Sequence, residues 1–323
     1  EGFAASIVAR RLEDGRERWR FRLGAAVLGG FAADEERVYA GSRAGEVVAV
    51  GLEDGEEAWR FRAGGRVETA PAAAEGLVVA VAENYRTGEA SVVALEAESG
   101  RRAWAFSAPG PDVGASSPAI GRGTVFVGLG DGRVRALDLR TGQERWAAPV
   151  LATSLGARAF TPELVPAVPG DLVVADVAHV YRLDAATGEE RWSFRISELL
   201  FRGGPAVSDG AVLVGDDGGG LSAISLEEGV RVWRADLGPA PLGALAVAAD
   251  RVFAAGLGRG GRVVALETDD RGALSREASD SELSVGRALL NFIAAAAAVG
   301  AVVLVLFRLV LRVRPREPAE AEP

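Results

Sequence analysis

A tryptophan placed four residues after a glycine returns six times, and this spacing restricts the possible folds more than any other feature of the 323-residue chain. The stretches are ARRLEDGRERW (9–19), AVGLEDGEEAW (49–59), ALEAESGRRAW (94–104), ALDLRTGQERW (136–146), RLDAATGEERW (182–192) and AISLEEGVRVW (223–233). They use every tryptophan of the protein: Trp19, Trp59, Trp104, Trp146, Trp192 and Trp233. The paired glycines are Gly15, Gly55, Gly100, Gly142, Gly188 and Gly229. Successive tryptophans lie 40, 45, 42, 46 and 41 residues apart, the signature of one supersecondary unit repeated along the chain. A seventh copy, ALETDDRGALSR from Ala265, keeps the turn and lacks the tryptophan.

The strand content of the unit selects the architecture. In the fourth copy the β-rich runs are SSPAI (116–120), TVFVGLG (124–130), RVRALD (133–138) and ERWAAP (144–149), separated by glycine-containing turns. Comparable sets precede or include the other motifs, and no segment between residues 1 and 280 carries a long helical period. Four short strands per repeat predict an all-β propeller of four-stranded antiparallel blades, whose radial repetition protects most strand edges. Seven third strands stand against six pairs of first and second strands, so seven blades with an incomplete first one is the preferred count. Six blades closed by the N-terminal ERWRF strand is the alternative. The motif glycine is expected to take a positive φ in the turn between third and fourth strands. The tryptophan then returns at a fixed height to fill the space between blades, where burial of an indole contributes at most ~4–6 kcal/mol.

Ala136, Asp138, Thr141, Gly142 and Trp146 match, position by position, the tryptophan-docking pattern A-x-D-x-x-T-G-x-x-x-W of the pyrroloquinoline-quinone-like β-propeller family. Asp184, Thr187, Gly188 and Trp192 match as well, with Arg182 in place of the alanine. The resemblance covers residues 1–275. It implies the fold, and within the family the chain is similar to the BamB-type outer-membrane assembly factors, which implies a propeller that binds partner proteins without a cofactor. Other members are quinone-dependent dehydrogenases, which hold a quinone above calcium on a tryptophan floor. Here all six tryptophans fall in the docking phase and cysteine is absent, so the expected reading is not an enzyme, with no cofactor and no metal site.

Composition bounds the remaining classes. A net charge of -9 and a pI near 5.0 argue against a nucleic-acid partner, because phosphate binding requires a basic face. Residues 288–307, ALLNFIAAAAAVGAVVLVLF, contain a single polar side chain, Asn291, and at 1.5 Å per residue would span a bilayer core of about 30 Å. Arg308, Arg312, Arg314 and Arg316 follow the run, so the C-terminus is expected in the cytoplasm and the propeller outside it. The predicted organisation is a propeller over 1–275, a juxtamembrane linker over 276–287, a transmembrane helix over 288–307 and a tail over 308–323 that is first arginine-rich and then Pro- and Glu-rich. The expected location is the bacterial inner membrane, single-pass, with the propeller periplasmic. Because the chain opens at Glu1 without an apolar leader, a signal sequence is expected to have been removed or trimmed.

Other candidate chemistry reads as structure. His179, the only histidine, falls on a third strand. Asp216 and Asp217 in GDDGGG occupy the place of the turn GLGDGR (128–133). GLGRGG (256–261) lies between strands rather than opening a helix and so fails as a dinucleotide loop. Two connections break the repeat, ENYRTGEAS (83–91) and VLATSLGARAFTPELV (150–165), and loops that the scaffold does not need often carry binding. Tyr85, Leu151, Leu155 and Phe160 are therefore candidate partner contacts. Ending the chain after Gly286 is expected to release a soluble, folded domain by gel filtration and circular dichroism; an aggregated product would mean that the apolar run belongs to the fold.

Overall fold

The computed structural model describes residues 5–275 apart from 12, 109–114, 150–162, 168–169, 177, 197–203, 209, 239–241, 249–250, 257–262 and 269–273. The linker, apolar run and tail assigned to 276–323 lie outside the described residues. Among those described, no helix is long and apolar enough to cross a membrane.

The chain folds as a succession of up-and-down antiparallel sheets. The first has two strands, β1 (Ser6–Arg10) and β2 (Glu17–Arg22). The second has four: β3 (Phe31–Ala33), β4 (Arg37–Gly41), β5 (Glu46–Gly51) and β6 (Glu57–Arg62). The third consists of β7 (Ala72–Ala74), β8 (Leu77–Asn84), β9 (Glu89–Glu96) and β10 (Arg102–Ala108). The fourth follows with β11 (Ala119–Gly121), β12 (Thr124–Leu129), β13 (Arg133–Asp138) and β14 (Glu144–Pro149). The fifth comprises β15 (Glu163–Ala167), β16 (Asp171–Ala175), β17 (His179–Asp184) and β18 (Glu190–Arg195). The sixth is made of β19 (Ala206–Ser208), β20 (Ala211–Gly215), β21 (Gly220–Ser225) and β22 (Arg231–Asp236). The seventh contains β23 (Leu242–Ala248), β24 (Arg251–Gly256), β25 (Val263–Thr268) and β26 (Leu274–Ser275).

In each sheet strand order follows chain order, and the first strands neighbour one another from sheet to sheet: β3 by β7, β7 by β11, β11 by β15, β15 by β19 and β19 by β23. Inner strands that touch in series, with the later strands stacked outward, define the radial geometry of propeller blades. Seven sheets are present among the described residues, six of four strands and one of two, which is the arrangement the third-strand count favours.

The hydrophobic core is divided among the seams between sheets. Period-two alternation assigns each strand's side chains to two different seams. On β5, Val47 and Ala49 pack with Trp59, Val78, Ala80 and Leu95 toward the third sheet. Val48 and Val50 pack with Ile7, Trp19 and Leu23 toward the first. Middle strands buried on both faces are largely apolar, and VVAV of β5, LVVAVA of β8 and VFV of β12 follow from that requirement. Among the described residues each of the six seams between successive sheets contains one motif tryptophan: Trp19, Trp59, Trp104, Trp146, Trp192 and Trp233 in turn. Trp104 is 9% exposed in its seam. Trp104→Ala is expected to cost ~3–5 kcal/mol in denaturant unfolding because the cavity opens between two rigid sheets; a loss below ~1 kcal/mol would contradict that packing.

Candidate functional site

Each docked indole is held by the motif of the next sheet. Trp19 donates its Nε1–H to the Leu52 carbonyl at 3.0 Å, Trp59 to Ala97 at 2.8 Å, and Trp104 to Leu139 at 2.8 Å. Trp146 donates to Ala185 at 3.0 Å and Trp192 to Leu226 at 2.8 Å. The position equivalent to these acceptors beyond β25, where Trp233 would reach, is outside the described residues. Three residues after each acceptor comes the motif glycine, and the ring lies flat against it. A Cβ added at Gly55, Gly100, Gly142 or Gly188 would stand 2.6 Å from an atom of Trp19, Trp59, Trp104 or Trp146 respectively, and at Gly229 2.7 Å from Trp192. Positive φ, from +68° to +77° at these five residues, requires glycine for a second reason. Gly15 takes φ +70° like the others, yet nothing stands within 4 Å of its added Cβ.

The motif acid caps the same turn. Asp138 accepts the N–H groups of Arg140 at 3.0 Å and Thr141 at 2.9 Å, the Thr141 hydroxyl at 3.0 Å, and Arg145 Nη2 at 2.6 Å. Arg145 first and the Thr141 donors next pull its carboxyl down to about 2. Asp184 accepts the N–H groups of Ala186 and Thr187 in the same way. Arg182, where the pattern has alanine, reinforces the seam between the fifth and sixth sheets. It reaches the Leu226 carbonyl at 2.7 Å, the acceptor already used by Trp192, and pairs with buried Asp171 at 2.7 Å.

In an up-and-down sheet the turn from second to third strand and the connection into the next sheet emerge on one face of the array. Tyr85 lies on this face. The segment 83–91 is largely strand: β8 and β9 run eight residues each, and only Tyr85–Gly88 form the turn, closed by Gly88 N–H to the Asn84 carbonyl at 2.8 Å. The repeat is broken there, as the sequence suggested, but by a longer hairpin and not by a longer loop. Tyr85 is 49% exposed, its hydroxyl donates to Glu68 Oε2 at 3.0 Å, and the Arg66 guanidinium sits over its ring at 4.9 Å. Glu68 also accepts Arg43 Nε at 2.7 Å. Partial burial first, then Glu68, push the Tyr85 hydroxyl up to about 12, so it stays a neutral donor through the physiological range. Main-chain bonds of 2.8 Å in both directions between Arg66 and Glu83 fix the connection to the hairpin.

Leu151, Leu155 and Phe160 lie outside the described residues, as do Leu257–Gly261 of GLGRGG. Asp216 is buried in a turn, where it accepts the N–H groups of Gly218 at 3.1 Å and Gly220 at 2.7 Å and pairs with Arg234 at 2.9 Å. His179 opens β17 and donates its main-chain N–H to Asp176 at 2.7 Å. Among the described residues no group of three or more His, Asp or Glu stands where it could hold a metal ion.

Radial antiparallel sheets locked by indoles at successive seams define a tryptophan-docked β-propeller. Residues 4–177 and 176–312 match the sequence family described as outer membrane protein assembly factor BamB, and the chain belongs to that family. A serine/threonine-protein kinase AfsK from Streptomyces griseus is 36% identical over 125 residues, a stretch spanning 37% of this chain and 15% of that protein. Similar solved folds include BamB from Moraxella catarrhalis, at TM-score 0.56 and 19% identity over 77% of this chain and 95% of that one. The quinohemoprotein alcohol dehydrogenase ADHIIG from Pseudomonas putida HK5 superposes at TM-score 0.66 and 16% identity, covering 84% of this chain and 63% of that one. At these identities the two structures share the fold.

Two measurements check the seat geometry. Gly142→Ala is expected to destabilise by several kcal/mol, since the new methyl drives into Trp104, whereas Gly15→Ala costs only the ~1–2 kcal/mol of an alanine at positive φ. Equal losses at the two sites would contradict the stacking. Asp138, with its carboxyl lowered in the folded state, contributes stability that is complete above its ordinary range near 3.9 and is lost as pH falls toward 2. An NMR titration of Asp138 with a midpoint near 3.9 would contradict the cap.

Proposed function

We propose that the chain is a non-enzymatic protein-interaction scaffold: an extracytoplasmic β-propeller, anchored in the bacterial inner membrane by 288–307 with its C-terminus cytoplasmic, and a subunit of a membrane protein complex. The observation that carries the reading is the commitment of the indoles. Five of the six are fixed between a neighbour's glycine and carbonyl, which makes them joints of a rigid body and leaves the faces of the array for recognition. Membership of a family described as an outer membrane protein assembly factor supports a partner-binding role, and a part in outer-membrane protein assembly is one form it takes. On the face described above, Tyr85 is an aromatic side chain already ordered by Arg66 and Glu68. A pre-ordered, half-exposed tyrosine forfeits little rotamer freedom on docking, a property of interface anchors.

Affinity capture of the full chain from native membranes in mild detergent tests the reading. A stoichiometric protein partner is expected, and Tyr85→Ala is expected to reduce its recovery about tenfold, the effect of losing ~1.4 kcal/mol of binding. Recovery of no stoichiometric partner would contradict a scaffold. The second reading, a quinone-dependent dehydrogenase or small-ligand sensor, draws on the likeness to the quinohemoprotein fold. A quinone absorption band that appears with stoichiometric pyrroloquinoline quinone and calcium would favour it.

A further inference from the structure

From the second to the sixth sheet the turn between second and third strands comes to one face, and its charge changes along the array. In the fourth, fifth and sixth sheets the turn carries an acid, Asp131, Asp176 or Asp216, which accepts main-chain N–H groups of the same turn at 2.7–3.2 Å. In the second and third sheets the exposed turn positions include Arg43, Tyr85 and Arg86 instead. The connection 63–71 between these two sheets adds Arg66 and Glu68 to the same sector. Donors dominate its surface. Both oxygens of Glu68 are engaged: Oε1 takes Arg43 Nε at 2.7 Å and lies 3.7 Å from Arg66 Nη1, and Oε2 takes the Tyr85 hydroxyl at 3.0 Å. Glu83 is buried. The guanidinium side chains stay outside, Arg43 45% and Arg66 46% exposed against 16% for Glu68. Among the described residues Arg43 hydrogen-bonds only through Nε, and Arg66 is placed by the Tyr85 ring and by its main-chain bonds to Glu83.

The geometry points to the cluster of Arg43, Arg66 and Tyr85 as a receptor for an acidic side chain of a partner protein, carried on a segment whose neighbouring aromatic residue packs on the Tyr85 ring face turned away from Arg66. The inference rests on the scaffold reading and names the chemistry that its partner presents. Two guanidiniums anchored on one shared carboxylate keep outward N–H groups in a fixed fork, which suits a second, incoming carboxylate. Their order is set before docking, so the partner's carboxylate meets donors whose rotamer freedom is already reduced. Asp131, Asp176 and Asp216 give the next three sheets the opposite sign on the same face. An acidic segment is therefore drawn to the second and third sheets and repelled from the fourth to the sixth, and this difference fixes its register on the array.

The probe is a fluorescein-labelled peptide, Gly-Glu-Phe-Glu-Phe-Gly, titrated with the full chain in detergent and followed by anisotropy. It is expected to bind saturably, and the same peptide with Gln in place of Glu at least about tenfold more weakly. Arg43→Gln and Arg66→Gln are each expected to weaken the acidic peptide at least about tenfold with near-UV circular dichroism unchanged. Arg102→Gln, exposed on β10, is expected to leave binding within about twofold. Should one of the two site variants misfold, the other and the glutamine peptide decide. Equal binding of the two peptides, or an equal loss at Arg102, would show charge attraction without a site and overturns the proposal. In native membranes, p-benzoylphenylalanine in place of Arg86 is expected to cross-link a partner segment rich in Asp and Glu; a neutral or basic segment there overturns the proposal. Absence of saturable peptide binding also overturns it and leaves the scaffold reading to its own test by capture from membranes.

Discussion

The fold depends on a stacking contact between an indole and a bare main chain one sheet away. A glycine at positive φ removes the side chain that would separate the two sheets, and the preceding sheet's tryptophan fills that space and hydrogen-bonds a carbonyl three residues earlier. Turn geometry and inter-sheet packing are thereby set by the same residue. Trp104 meets Gly142 and the Leu139 carbonyl, and the seam around it closes over Val79, Val92, Val125 and Leu137.

Because each of the five described contacts is with the next copy, stability accumulates seam by seam, as in other repeat architectures. Middle strands are apolar on both faces since each serves two seams, and polar variation is pushed to the outer strands and to the two faces of the array. Arg182 shows how a seam tolerates departure from the pattern: a guanidinium beside the ring is acceptable because Asp171 neutralises it and the Leu226 carbonyl accepts its hydrogen bond. A rigid array of this kind also orders side chains on its faces, as Arg66 and Glu68 do Tyr85.

Much of the fold was legible in the chain. Periodicity identified all-β blades, and the runs TVFVGLG, RVRALD and ERWAAP became β12, β13 and β14 with ends shifted by at most one residue. The first strand of the fourth copy was read too long: SSPAI contributes only its last two residues to the three-residue β11. The identity of the seat was not read, although the constant phase of glycine and tryptophan contained the signal. A turn glycine explains a positive φ, and only the fold brings Gly142 under Trp104. Tyr85 was singled out from the broken repeat, and the break is strand extension over Leu77–Asn84 and Glu89–Glu96, which the continuous apolar run LVVAVA permits. Its partners Arg66 and Glu68, and Arg43 which pairs with Glu68, come from other connections and carry no mark in the sequence.

The central claim is that the motif indoles are locked between sheets and are not available to hold a ligand. Hydrogen exchange of the six indole N–H groups, followed by NMR in deuterated solvent, tests it most directly. Trp19, Trp59, Trp104, Trp146 and Trp192 should exchange on the timescale of opening their seams and keep their shifts when pyrroloquinoline quinone and calcium are added. Indole protons that exchange within the dead time, or several that move together on adding the quinone, would contradict the account.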